Sequence, residues 1–233
     1  SIWKDMKTQT IPVITIDGPA GAGKGTVSRL LAQSLNWSYL DSGALYRAVG
    51  IAASWEDIDI TETENLADCA SRTDIKFVTQ HNDEPLIFVN NKEATAEIRS
   101  ELAGAMASAL AAQPLVRAAL VELQRGFQKA PGLVADGRDM GTVIFPDAAY
   151  KFFLTASPLI RAERRYKQLI EKGVTVKLDH LLHEIVVRDE RDANRAIAPL
   201  KPADDAVIID STSMPITQVI DQILSALPSH YRS

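Results

Sequence analysis

A chain of 233 residues, 46% hydrophobic and 24% charged, has enough apolar material for one substantial core and the surface of an ordinary globular protein. Its net charge of −5 argues against nucleic acid as a partner, and no apolar run approaches the roughly 20 residues that cross a bilayer. Cys69, the single cysteine, excludes an internal disulfide and a thiolate metal cluster, and is expected half-buried in a helix. Ser1–Thr10 is polar and lacks the apolar segment of a secretory signal, so a cytoplasmic location is expected.

The β-branched run Ile11–Ile16, stopped by Asp17-Gly18, predicts a buried strand. Gly23–Leu35 places Val27, Leu30, Leu31 and Leu35 at helical spacing. Trp37–Leu40 predicts a second strand and Ala44–Ser54 a second helix. Strand, helix, strand, helix is the pattern of a parallel sheet. Between Asp74 and Glu97 the texture changes. Ile75–Val78, Pro85–Val89 and the weaker Glu93–Ala96, separated by His81–Glu84 and Asn90-Asn91, predict a small antiparallel meander. Glu101–Gln128 is helical with a break at Pro114, and its alanine-rich part, Leu102–Ala112, suits close helix packing. Leu133–Ala135, Tyr150–Leu154 and Ala206–Ile209 complete five core strands, and Pro158–Lys172 and Leu178–Asn194 are charged helices. Trp3, Trp37 and Trp55 are read as packing residues.

Gly18, Pro19, Ala20, Gly21, Ala22, Gly23, Lys24, Gly25 and Thr26 follow a strand and open a helix, the setting a phosphate-binding loop requires. Glycines allow backbone N–H groups to converge on phosphate oxygens, and the helix N-terminus adds positive partial charge. Lys24 can follow charge onto the transferring group. The hydroxyl comes one place later than is commonest, at Thr26, the candidate metal ligand. Such a loop serves kinases, motors and switches alike. A guanine-reading Asn-Lys-x-Asp segment is missing, so the choice falls to an acceptor site.

Leu40–Arg47 (LDSGALYR) and Ala135–Thr142 (ADGRDMGT) resemble the signatures of bacterial-type cytidylate kinases, nucleoside monophosphate kinases, and the similarity runs from about Ile11 to the end of the chain. The resemblance implies a P-loop NTPase-type α/β fold: a five-stranded parallel sheet with helices on both faces, an acceptor subdomain carrying a β insertion, and a helical lid. The whole is read as one domain, with residues 11–41, 130–157 and 196–233 as core, 42–129 as the acceptor region around a meander at 74–97, and 158–195 as the lid. It further implies ATP and Mg²⁺, with CMP and dCMP as acceptors; neither nucleic acid nor a membrane is expected as a partner, and a monomer is expected.

Residue by residue, Asp41-Ser42-Gly43 ends a strand, Ser42 is expected to cap the next helix, and Arg47, one turn in, suits the acceptor phosphate. Arg138 is expected as a second clamp. Asp139 is expected to accept from the cytosine amino group, the donor uracil lacks, and Asp136 to hold water of a metal shell. Resemblance adds Ser108 and Arg117 near the pyrimidine. It also adds Arg161, Arg164 and Arg165 on the lid, and Arg188, Asp192 and Arg195 facing the acceptor nucleotide. Lys24, Arg138, Arg161 and Arg164 are the expected catalytic cations. Spacing puts Arg161, Arg164 and Arg165 on one helical face and Arg188, Arg191 and Arg195 on another; surface ion pairing is the bland account, but two concentrated faces in an acidic protein fit neutralisation of phosphate charge better. A phosphate nucleophile is already anionic, so no general base is expected. Two other readings stay open: a kinase for another small acceptor such as UMP, and a nucleotide-dependent switch.

Overall fold

The structure, a computed structural model of the chain, describes residues 10–80, 83–196 and 198–232. Trp3, most of the polar N-terminal stretch and the His81-Asn82 part of the expected turn lie outside the described residues. Strand β1 (Val13–Asp17) is buried at every position and runs into helix α1 (Lys24–Leu35), which Asn36 ends in the left-handed conformation. Strand β2 (Ser38–Asp41) follows, then helix α2 (Ser42–Trp55). The cap of α2 is Asp41, not Ser42: its carboxylate accepts from Ala44 N at 3.0 Å. Ser42 is already helical and buried, and its hydroxyl donates to Gln124 Oε1 at 2.7 Å.

Helix α3 (Thr63–Arg72), whose bounds the sequence reading did not set, buries Leu66, Cys69 and Ala70. Cys69 is almost fully enclosed; burial and the neighbouring Glu56 carboxylate push its thiol up to about 11. Strands β3 (Ile75–Gln80), β4 (Asp83–Val89) and β5 (Lys92–Glu93) form the antiparallel meander. Its third strand is only two residues long, because the chain turns at Ala94 into the single helical turn α4 (Thr95–Ile98). The expected Glu93–Ala96 strand is therefore corrected. Helices α5 (Glu101–Ala111) and α6 (Pro114–Arg125) meet at a 105° bend, with Pro114 at the start of α6 where its missing N–H costs nothing. An added Cβ on Gly50 would stand 2.9 Å from Met106 Cβ, so that glycine is what lets α2 lie so close to α5.

Strand β6 (Leu133–Gly137) leads into a π-type turn at Met140–Ile144, then β7 (Tyr150–Thr155), helices α7 (Pro158–Glu171) and α8 (Leu178–Ala193), β8 (Val207–Asp210) and helix α9 (Ile216–Ala226). The five-stranded sheet is parallel, in the order β2-β6-β1-β7-β8. Alternate strand residues serve two cores. Val13, Leu40, Leu133 and Ala135 face the side of α2, α3, α5 and α6, while Ile14, Ile16, Tyr39 and Val134 face α1 and α9. Register aligns Asp41 with Asp136 and Asp17 with Gly137, so the carboxyl ends of β2, β6 and β1 share one edge, where open α/β sheets bind ligands. Among the described residues no single helix is long and apolar enough to cross a membrane.

Candidate active site

The sheet edge opens into a cleft of about 1080 Å³. Its floor is the phosphate loop. Gly18 (φ +153°), Gly21 (+79°) and Gly23 (+88°) hold backbone angles that other residues rarely adopt, and a Cβ on Gly18 would sit 2.0 Å from the Leu154 carbonyl oxygen. Lys24 reaches across the floor to Asp136, Nζ to Oδ1 at 2.5 Å, and the Tyr39 hydroxyl donates to the other carboxylate oxygen at 3.3 Å. Asp136 is 2% exposed and inside β6 rather than beyond its end, so it meets the cleft through Lys24. Asp41 lies beside it; burial and the Asp136 charge push its carboxyl up to about 6. Among the described residues Lys24 is paired with Asp136 alone, and Asp41 feels its charge without touching it.

The walls carry most of the expected acceptor residues. Arg47 enters from α2 with its guanidinium fixed by the Ile98 carbonyl at 3.0 Å, and Gly104 of α5 leaves it room: a Cβ there would stand 3.1 Å from Nη2. Ser108 and Arg117 face the cleft from α5 and α6. Arg117 Nη2 lies 3.7 Å from Asp139 Oδ2. Burial raises the Asp139 pKa, while Arg117, Arg195 and Arg138 hold it down. Helix α8 closes the far side with Arg188, Arg191 and Asp192, and Arg195 follows it. Water reaches Arg188, yet enclosure by the cleft walls, with Arg138, Arg47 and Arg191 nearby, pushes its guanidinium down to about 10 against the pull of Asp192.

One contact in this wall is incomplete. Arg138 Nε and Asp192 Oδ2 are 2.8 Å apart, but the N–H is not aimed at the oxygen, and neither atom has a hydrogen-bond partner. Arg195 Nε is also buried and unpartnered. Such groups cost about 1–3 kcal/mol each when left unmet, so a cluster of them marks where a polar ligand would be received.

Spacing puts the arginines of α7 on one helical face, and the structure buries part of that face. Arg161 is 3% exposed and lies behind the phosphate loop, donating to Ala20 O at 3.1 Å, to Ala156 O at 2.9 Å, and to both carboxylate oxygens of Asp189 on α8. Arg164 donates to Ser211 O at 2.6 Å and Ser211 Oγ at 3.1 Å, with Ala22 O at 3.5 Å. Only Arg165 is exposed. An i, i+3, i+4 face is wide enough for its edge to be buried, which spacing alone does not reveal. Gly18 and Ala22 likewise lie behind the cleft surface, and the Ser42 hydroxyl is occupied by Gln124.

A smaller cavity of about 360 Å³ lies beyond the loop and shares Gly21, Gly23 and Thr26 with the cleft. Its other walls are Arg164 and Arg165 on one side and Met214, Pro215 and Ile216 on the other. The sequence reading did not single out these last three; the phosphate loop's need for a donor nucleoside on its outer side was the one available hint.

The cytidylate kinase family model matches residues 14–229, taking in both cavities and every element described above except Val13, the first residue of β1. The chain belongs to the cytidylate kinase family. Membership makes it a nucleotide kinase, with ATP as phosphoryl donor. Among solved structures, an uncharacterized protein from Eubacterium ventriosum is 11% identical, with a TM-score of 0.50, over 94% of this chain and 99% of that one. A shikimate kinase from Bacteroides thetaiotaomicron is 14% identical, with a TM-score of 0.45, over 92% and 97%. At such identities the first likeness speaks to the fold alone. The five-stranded parallel sheet with the phosphate loop at its edge is a P-loop kinase fold.

Proposed function

We propose that the protein transfers the γ-phosphoryl group of ATP reversibly to CMP and dCMP in a Mg²⁺-dependent reaction, acting as a cytoplasmic monomer. The observation that carries this reading is the wall formed by Arg47, Arg117, Arg138, Asp139, Arg188, Asp192 and Arg195, gathered in one cleft above the phosphate loop. It offers cations for a phosphate, a carboxylate for an exocyclic amine, and unpartnered polar atoms for a sugar.

The nucleoside of ATP would lie in the smaller cavity between Arg164–Arg165 and Met214–Ile216, its phosphates passing over Gly21–Thr26. Lys24, now held by Asp136, would move with the transferring charge. Arg47, Arg138 and Arg188 would hold the acceptor phosphate, supplying alignment and charge neutralisation, which are most of what phosphoryl transfer asks of a protein. Asp139, steadied by Arg117, would accept from the cytosine amino group, and Asp192 from a ribose hydroxyl. Helices α7 and α8 would act as the lid, closing over both nucleotides to keep water from the γ-phosphate. Arg161 and Arg164 would serve the reaction by backing the loop, since their donors are already engaged with protein oxygens.

A magnesium ion fits the foot of the cleft. No group of three acidic, histidine or cysteine side chains among the described residues could hold a metal alone, but Mg²⁺ in kinases takes only one or two protein oxygens beside phosphates and water. Asp136, Asp41 and Thr26 supply such oxygens, and the two carboxylates set against one ammonium leave negative charge for a cation to balance. Bound there, it would neutralise phosphate charge.

Asp139→Ala tests the reading. It should reduce the preference for CMP over UMP by about 5- to 150-fold, corresponding to the roughly 1–3 kcal/mol of a specific base contact, and leave the KM for ATP little changed. An unaltered CMP preference would refute the assignment.

A further inference from the structure

Asp17 is the last residue of β1, directly before the phosphate loop, and it is only 4% exposed. Its carboxylate belongs neither to the cleft lining nor to the ion pair beneath it. Instead Oδ1 accepts from Met140 N at 2.9 Å and Oδ2 accepts from Gly141 N at 2.8 Å. These two amides open the π-type turn that follows Asp139, and their carbonyl partners would otherwise be missing, because β6 has ended at Gly137. One carboxylate therefore satisfies two consecutive buried donors, one per oxygen.

The position of this contact matters more than its strength. β1 and β6 are adjacent, with Asp17 opposite Gly137, so the carboxylate reaches sideways across the sheet to the segment bearing Arg138 and Asp139. Asp139 itself stands directly before the turn and is fixed on its other side by the charge of Arg117 at 3.7 Å. From below, Gly141 sits where a Cβ would be 2.8 Å from Thr15 Oγ1 and 3.1 Å from Lys151 Cδ, so the turn has no slack toward the sheet. Asp17 is thus the group that sets the height of the turn over the sheet edge. It is kept there against an electrostatic penalty: burial raises its pKa to about 6 in spite of the two amide donors.

We propose that Asp17 is a positioning residue for acceptor selection: by holding the Met140 and Gly141 amides from the strand that launches the phosphate loop, it fixes Asp139 at the height from which the acceptor base is read. The inference rests on the proposed role of Asp139. It assigns to the loop-bearing strand a part in choosing the acceptor as well as in holding the donor. A displacement of about 1 Å in such a group can cost on the order of 100-fold in a reaction that depends on alignment.

The test compares Asp17→Asn with the wild type for kcat and KM toward CMP and UMP, and for the KM of ATP. An asparagine offers one oxygen to two amides and turns an N–H toward the other, so the turn must shift. The expected result is at least a tenfold loss in the CMP-to-UMP ratio of kcat/KM, carried mainly by a raised KM for CMP, with the KM of ATP within about threefold of wild type. A uniform fall in kcat for both acceptors with the ratio intact would overturn the proposal, since that is what a general disturbance of the loop would give. Gly141→Ala, which leaves the Asp17 carboxylate in place and sets a methyl against Thr15 Oγ1 and Lys151 Cδ, supplies the second variant should Asp17→Asn not fold. It should lower the same ratio, and an unchanged ratio there also counts against the proposal. Wild-type kinetics separate the two ideas: no wild-type preference for CMP sinks the role of Asp139, whereas a wild-type preference kept by both variants sinks only that of Asp17.

Discussion

Asp41→Asn should make the protein more stable and less active. Asp41 caps α2 through Ala44 N and sits beside Asp136, and its pKa rises from an ordinary 3.8 to about 6 through burial first and the Asp136 charge second. Two pK units correspond to about 3 kcal/mol of unfavourable free energy in the ionised state, at about 1.4 kcal/mol per unit. Asp41 still touches water at the foot of the cleft, so about 1–2 kcal/mol is the realistic relief. Asparagine caps as well as aspartate, so the helix start is kept. For a chain of this size each kcal/mol moves Tm by roughly 2–4 °C. Because the folded pKa is the higher one, the native state keeps its proton while the unfolded chain loses it between about pH 4 and pH 6. Wild-type stability therefore falls across that window and is level above it. The variant lacks this term, so its advantage should open from pH 4 to pH 6 and persist to pH 8. Thermal melts of the ligand-free proteins at pH 4.5 and 7.5 measure it. A variant no more stable than wild type at pH 7.5, or one whose advantage is the same at both pH values, would refute the electrostatic reasoning.

Lys24→Ala should lower turnover by at least about 100-fold with every acceptor, as expected when a group that stabilises transition-state charge is lost; steady-state rates with CMP and UMP check this. Arg47→Ala should raise the KM for CMP by about tenfold or more, the value of a charge-assisted contact of roughly 1.5–3 kcal/mol, while the KM of ATP stays near wild type. Gly18→Ala should destabilise the fold by about 3 kcal/mol or more, since its methyl meets a backbone carbonyl at 2.0 Å and neither can yield; denaturant melts report the loss.

The parallel core was legible because buried strands such as Val13–Asp17 are short β-branched runs with a glycine stop, and because the phosphate loop carries its context with it. The acceptor wall was named residue by residue only through family likeness. Position alone fits Arg47 as a solvated helix residue as well as a phosphate ligand, and nothing in the sequence shows that Gly104 makes room for it. Arg161 shows what spacing omits. Its spacing matches Arg164 and Arg165, but Asp189 and the Ala20 carbonyl draw it under the loop, and those partners lie 28 and 141 positions away in sequence. Asp17 was read only as the stop of a strand, because its partners are backbone amides, which no side-chain pattern records. Short elements were hard for a related reason: Glu93–Ala96 has too few residues for periodicity to separate a strand from a helical turn.

The most direct measurement is ATP consumption by the wild-type protein against CMP, dCMP, UMP, AMP and shikimate under matched conditions with Mg²⁺. The arrangement of Arg47, Arg138, Asp139 and Asp192 calls for the highest kcat/KM with CMP, with dCMP also accepted, UMP weaker, and AMP and shikimate close to background. Equal turnover of CMP, UMP and AMP, or a preference for shikimate, would contradict it.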